Sequence, residues 1–304
     1  VHLLLARAAL LSPLKRPRPD AAVPDVRLTV PGVRVDLARL AAYERVCGFA
    51  TGAEAMPVTY PQVLAFPLTM RVMARRAFPL PVLGLVHTSV EITRWCALPA
   101  TGEYELSVRV EGLAPHRRGT EATVVTGARL GGGLVWESRS TYLARHSTTA
   151  AGAPDSRQAD GAAPPTPPAP SAHSTPSTHS APPTHSTPSA PLPAVAEWRL
   201  AKDVGRRYGA VSGDRNPIHL YPLTARLFGY ARPIAHGMWT VARCLAEHPA
   251  GGEPLTVRAD FKAPVLLPAT VTYAAEGGRF ELRGAEGEAR PAPHLTGEVQ
   301  PALG

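Results

Sequence analysis

The sequence predicts an α+β protein built on one plan used twice, and three observations lead there. A largely apolar stretch of helical length precedes a series of strand-like runs; the same order recurs later; a low-complexity tract separates the two. In the first half, Val63, Leu64, Phe66, Leu68, Met70, Val72 and Met73 make Gln62–Ala77 read as a buried helix despite Pro67. After Pro81 come the runs Leu85–Thr93, Glu103–Glu111, Thr120–Leu130 and Leu134–Leu143. Within Glu103–Glu111, Tyr104, Leu106, Val108 and Val110 alternate with polar neighbours, the period of a strand with one buried face. Glycines 131 to 133 predict the turn that joins the last two runs. In the second half, Ile234, Met238, Trp239, Val241, Ala242 and Leu245 give Ile234–His248 an apolar stripe. Strands are expected at Leu255–Phe261, Thr270–Ala275, Arg279–Arg283 and Leu295–Val299. One helix with several antiparallel strands defines each half as α+β, and the repetition suggests duplication of a small fold.

The tract between the halves runs from Thr148 to Ala194 and is made of Pro, Ala, Ser, Thr and His. In it HSTPST, HSAPPT and HSTPSA follow one another from His173, His179 and His185. Such a composition cannot bury enough apolar surface to offset its ordering entropy, so a disordered linker is expected. Repeat expansion explains the three histidines better than a metal site, since a flexible tract offers no preformed geometry. The expected organisation is therefore 1–147, a linker at 148–194, and 195–304.

Composition narrows the function classes. The net charge of +8 favours an anionic partner. The basic residues are scattered, with no aromatic-interleaved run and no zinc-finger or helix-turn-helix signature, so nucleic acid is not expected. Cys47, Cys96 and Cys244 are odd in number and far apart, which argues against a disulfide framework or zinc site and fits a reducing cytoplasm. The apolar stretch Leu3–Leu11 is short and interrupted by Arg7, and basic residues follow it, so it reads as a packing segment and not a signal peptide. No membrane span is expected.

The chemistry concentrates in Tyr208-Gly-Ala-Val-Ser-Gly-Asp-Arg-Asn-Pro-Ile-His219, followed by Ala235-His-Gly-Met238. Gly213 permits a turn that aims Asp214 sideways. Pro217 holds Asn216, the one asparagine of the chain, extended and ready to cap a helix start on whose first turn His219 falls. A carboxylate and an imidazole sharing a water make a general acid–base pair. His236, Gly237 and Met238 open the second predicted helix, where free N–H groups and the helix dipole can stabilise a carbonyl oxygen becoming an enolate. Ser212 lacks a nucleophile elbow and serves the turn. Arg258 and Lys262 share one face of a strand and could reach a phosphate, though a solvated face explains them as well.

Asp-x-Asn-Pro-x-His with His-Gly-Met about twenty residues on resembles the signature of the MaoC-like, or R-specific enoyl-CoA hydratase, family. Phe228-Gly-Tyr-Ala-Arg-Pro-Ile-Ala-His-Gly-Met238 and Arg258-Ala-Asp-Phe-Lys-Ala-Pro-Val265 extend the likeness over most of residues 198–275. The resemblance implies a double hot-dog, each antiparallel sheet wrapped around a central helix. It also implies cofactor-free and metal-free, reversible addition of water across a trans-2-enoyl thioester to give an (R)-3-hydroxyacyl thioester. Asp214 and His219 match the pair that activates the water, Asn216 the residue that orients the site, and the Gly237 N–H the oxyanion donor. The carrier would be coenzyme A or acyl carrier protein, and a homodimer is allowed. The first half has no Asp-x-Asn-Pro-x-His; it reads Gly52-Ala-Glu-Ala-Met-Pro-Val-Thr-Tyr-Pro61, so it is expected to be the non-catalytic half, its Gln62–Ala77 segment lining an acyl tunnel. A non-catalytic acyl-thioester binding module and a hot-dog thioesterase are the alternatives.

Overall fold

The computed structural model describes residues 15, 23, 25–82, 84–146, 191–248, 252–285 and 293–302. The stretch Leu3–Leu11, the three repeated histidines and nearly all of the 148–194 tract lie outside the described residues. The first half comprises β1 (Arg27–Arg34), α1 (Leu37–Cys47), α2 (Tyr60–Met73), β2 (Val86–Arg94), β3 (Glu103–His116), β4 (Gly119–Leu130) and β5 (Gly133–Arg145). The second comprises β6 (Ala194–Leu200), α3 (Val204–Ser212), a 3-10 turn (Pro217–His219), α4 (Pro222–Leu227), α5 (Gly237–Glu247), β7 (Leu255–Phe261), β8 (Ala269–Glu276), β9 (Arg279–Gly284) and β10 (Leu295–Pro301).

Among the described residues ten strands form one antiparallel sheet in the order β1-β3-β4-β5-β2-β7-β10-β9-β8-β6. Five come from each half, and β2 joins β7 from Ser89↔Asp260 to Arg94↔Leu255. Helix α2 lies on β3 and β4, and α5 on β9 and β10. Strand alternation accounts for the faces: Tyr104, Leu106, Val108 and Val110 of β3 are all buried, as are Leu255, Val257 and Ala259 of β7. Burying this many apolar side chains, each contributing about 1.5–3 kcal/mol, is what offsets the entropy of ordering so much long-range pairing.

The two predicted helices are both present, with shifted ends. The first starts earlier, at Tyr60, because Pro61 suits a first turn where its missing N–H costs nothing; it stops at Met73 and retains Pro67 inside. The second starts three residues later than its apolar stripe, because Ile234 is extended and bridges Leu266 while the Ala235 N–H donates to the Val265 carbonyl. Strands β1 and β6 and helices α1, α3 and α4 add to the predicted elements. Among the described residues, no helix is long and apolar enough to cross a membrane.

Candidate active site

Helix α3 delivers the signature segment. It ends at Gly213, whose φ of 82° is left-handed, and the chain turns sharply there. The turn is then tied to itself: the Asp214 N–H donates to Ser212 Oγ (3.1 Å), and the Asn216 N–H donates to Asp214 Oδ1 (3.1 Å). Asn216 is extended (φ −57°, ψ 126°), and its Oδ1 accepts from the Ile218 N–H at 3.4 Å, capping the 3-10 turn that carries His219. Ser212 is buried and structural, as its sequence context predicted. Two residues without an assigned role make the loop fit. A Cβ at Gly205 would lie 2.1 Å from the His219 carbonyl oxygen, and one at Gly209 would lie 2.7 Å from that of Asp214. Their i, i+4 spacing on α3 was the available signal for this close approach.

The tertiary fold brings Asp214 and His219 together and adds His236 to them. Each of the three offers a ligand atom within 4.8 Å of the others, so this cluster is also where a metal could be held among the described residues. Its hydrogen bonds fix the tautomers of the two rings. His219 Nδ1 lies 2.8 Å from the Ile234 carbonyl oxygen, to which it can only donate. The neutral ring therefore has its lone pair on Nε2. His236 Nε2 donates to the Asp214 backbone oxygen at 3.0 Å and lies 3.9 Å from its carboxylate. The His219 and His236 rings stack at 3.7 Å.

Burial sets the charges. It pushes the pKa of His219 down, opposed by the Asp214 carboxylate and the Ile234 carbonyl. His236 is pushed well down by burial and by His219 beside it. Burial raises Asp214, opposed by His219 and the Asn216 N–H, although 29% of the Asp214 side chain stays exposed where it lines a cavity. Both imidazoles are thus neutral at pH 7.

The start of α5 faces the same cavity. His236 precedes the helix without a side-chain cap, so the N–H groups of its first turn, Gly237 foremost, have no helical acceptor. The packing around Gly237 gives a reason for glycine there. A Cβ there would lie 2.8 Å from the Phe261 ring.

The cavity has a volume of about 730 Å³. Asp214, Asn216, His219, His236 and Gly237 all line it, so the four sequence-predicted site residues share one chamber. From the first half, Val63, Phe66, Met70 and Met73 of α2 line it too. Three lining residues had no sequence signal. His87 stacks on Tyr142 (4.5 Å) and contacts Phe261 (4.7 Å), and burial of Tyr142, with Asp214 nearby, raises its phenol to about 12. Arg258 is engaged elsewhere, donating to Glu91 at 2.6 Å, whereas Lys262 lines the cavity.

Comparison with known proteins agrees with this architecture. A family model described as MaoC like domain matches residues 183–287. The 3-hydroxyacyl-thioester dehydratase X of Mycobacterium tuberculosis is 35% identical over 287 residues, 93% of this chain and 92% of that relative. The crystal structure of HtdX from Mycobacterium tuberculosis is 32% identical, covers 91% of this chain and all of that chain (100%), and superposes with a TM-score of 0.71. A further Mycobacterium tuberculosis structure, described as a double hotdog fold, is 14% identical, with a TM-score of 0.53 over 93% of this chain and 97% of that one. Two five-stranded units, each with a helix packed on its sheet, make this protein a double hot-dog. With that fold, and a relative more than 30% identical along nearly its whole length, the chain belongs to the MaoC-like family.

Proposed function

We propose that the protein is a hydro-lyase that interconverts trans-2-enoyl thioesters and (R)-3-hydroxyacyl thioesters in fatty-acid metabolism. The observation that carries this reading is the orientation of His219. Its Nδ1–H is committed to the Ile234 carbonyl, which leaves a basic Nε2 beside Asp214 at the uncapped start of α5. A water held between Asp214 and His219 loses a proton to the pair as its oxygen bonds C3. The C2=C3 π electrons move to the thioester oxygen, and the Gly237 N–H stabilises that enolate. The proton then returns from the pair to C2 on the same face, so that one water is added and nothing else is consumed. Dehydration is the same path reversed. Asn216 holds the turn that presents both groups.

The residues 1–147 are the non-catalytic hot-dog and 195–304 the catalytic one, with 148–194 as linker. The acyl chain lies against Val63, Phe66, Met70 and Met73 of α2, which line the cavity. All the residues invoked belong to one chain, so a homodimer would duplicate the site without completing it. The carrier is coenzyme A or acyl carrier protein. The free thiols of Cys47, Cys96 and Cys244 support a cytoplasmic location.

The test is loss of enoyl-thioester absorbance on adding purified protein to trans-2-enoyl-CoA substrates of short and long chain, with the product's configuration determined. An (R)-3-hydroxyacyl product without free thiol is expected. Release of free thiol would instead indicate a thioesterase, and binding without turnover an acyl-thioester binding module.

A further inference from the structure

The cavity has two chemically distinct walls. Val63, Met70 and Met73 of α2 are buried, while Arg117, Arg118, Arg145 and Lys262 line the same cavity and are exposed. The apolar residues are therefore interior and the cations form a rim. Strand register places that rim at one end of the sheet. Gly119 pairs with Arg145, Val86 pairs with Leu143, and Phe261, just before Lys262, pairs with Leu295. The tip of the β3–β4 hairpin, the end of β5 and the end of β7 thus lie side by side along the order β3-β4-β5-β2-β7.

The chain holds these arginines together by construction. Gly119 has a φ of 149°, and a Cβ there would lie 1.9 Å from the Ala144 carbonyl oxygen. Only glycine lets the hairpin tip press onto the end of β5. The His146 N–H donates to the Arg118 carbonyl at 3.1 Å, tying the two segments next to Arg118 and Arg145. Arg117, Arg118 and Arg145 make no ion pair with a carboxylate among the described residues. Lys262 pairs with Asp260 at 3.0 Å, and among the described residues Glu121 is the acid on the rim wall, accepting from Thr88 at 3.4 Å. Arginines without a carboxylate partner among the described residues, brought to one cavity mouth by Gly119, make that mouth positive, and an anion would neutralise it.

We infer that Arg117, Arg118 and Arg145, all in the half without the Asp214–His219 pair, bind the phosphate of a 4′-phosphopantetheine thioester. This rests on the thioester reading above and names the group that recognises the carrier. Coenzyme A and acyl carrier protein both present this phosphate at the far end of the pantetheine arm. The direction agrees: Arg145 is three residues beyond Tyr142 on β5, about 10 Å at strand rise, and Tyr142 is near Asp214, so the arginines stand outward of the acid–base pair. Arginine's planar fork suits a phosphate monoester or diester, and exposure at the rim lets the phosphate stay partly in water.

The experiment compares one trans-2-enoyl group on pantetheine, on 4′-phosphopantetheine, on coenzyme A and on holo acyl carrier protein. Wild type is set against the double variant Arg117→Gln/Arg118→Gln and against Arg145→Gln, none of which touches the acid–base pair. For the double variant, kcat/KM should fall about 10- to 100-fold on the phosphopantetheine and coenzyme A substrates. The fall should come through KM, with kcat kept and the pantetheine substrate unaffected. Equal losses with and without the phosphate would overturn the assignment. So would a loss confined to coenzyme A, which would place the nucleotide phosphates there, or one confined to the carrier protein, which would indicate its acidic surface. If wild type turned over none of the four, the hydratase reading would fail separately. Equilibrium binding of 4′-phosphopantetheine against pantetheine, in wild type and variant, would then decide the rim.

Discussion

The two halves run the same path and diverge after one residue. In each, a strand leads into a helix that ends at a left-handed glycine: α1 at Gly48 (φ 88°) and α3 at Gly213 (φ 82°). After Gly48 the next side chain is Phe49, which stacks on Tyr43 at 6.4 Å and joins the core. After Gly213 it is Asp214, which faces the cavity. The helices that follow also differ at their starts. Around Thr59 and Tyr60 the entrance to α2 is closed: Tyr60 is fully buried, Tyr43 Oη and Thr59 Oγ1 share a hydrogen bond of 2.7 Å, and the Trp136 indole donates to the Val58 carbonyl. The start of α5 is open to the cavity. The hot-dog frame thus tolerates either a sealed or an open helix start, and chemistry is decided by a short loop, not by the sheet.

The strongest way to break this comparison is at the loop. Asp214→Asn and His219→Gln should each lower kcat for enoyl-thioester hydration by about 10²- to 10⁴-fold while leaving the melting temperature close to wild type. A variant that kept most of its activity would show that the two loops do not differ in the way described.

Acid stability comes next. Burial lowers the His87 pKa to about 4, from the ordinary imidazole value near 6.5. Below pH 6.5 the unfolded chain takes up a proton that the folded one refuses, so this group's contribution is intact above 6.5 and declines as pH falls toward 4. The loss is at most about 3 kcal/mol, and less to the extent that water enters the cavity that the half-buried ring lines. His219 and His236 act in the same direction; Asp214, raised by burial, acts in the other. Urea unfolding of wild type and His87→Gln at about pH 7.5 and pH 4.5 should show the variant losing less on acidification. Parallel losses would remove His87 from the account.

A smaller effect is expected at the open helix start. Gly237→Ala forces its methyl into the Phe261 ring and should cost about 1–3 kcal/mol of stability, with kcat reduced as the N–H shifts. Phe261→Leu in the same chain should recover part of the stability, since it removes the atoms that clash. If the double variant is no more stable than the single one, the glycine serves another purpose. Smallest should be Met70→Trp, which narrows the cavity on the α2 side. It should lower kcat/KM for long-chain enoyl thioesters about tenfold (about 1.4 kcal/mol) and leave short chains unchanged. A uniform loss over chain length would show that α2 does not line the acyl path.

Much of this was legible in the chain because it is local. Period-two alternation in β3 and β7 reports which face is buried, and Asp214-Arg-Asn-Pro-Ile-His219 reports its own turn, since Gly213, Asn216 and Pro217 restrict the backbone within a few residues. Helix ends were less legible: the apolar stripe at Ile234 continues the helical period, but a bridge to Leu266 holds that residue extended. That extension presents the Ile234 carbonyl to His219 Nδ1 and so selects the ring's tautomer. The placement of Tyr142 beside Asp214, of His87 against Tyr142, and of Arg145 beside Arg118 belongs to the tertiary structure alone. It depends on β5 pairing with β4 and β2, and on β2 pairing with β7 across the two halves. Alternation along a strand says which side chains turn inward, while the choice of neighbouring strand is set by packing over the whole sheet and leaves no mark in either segment.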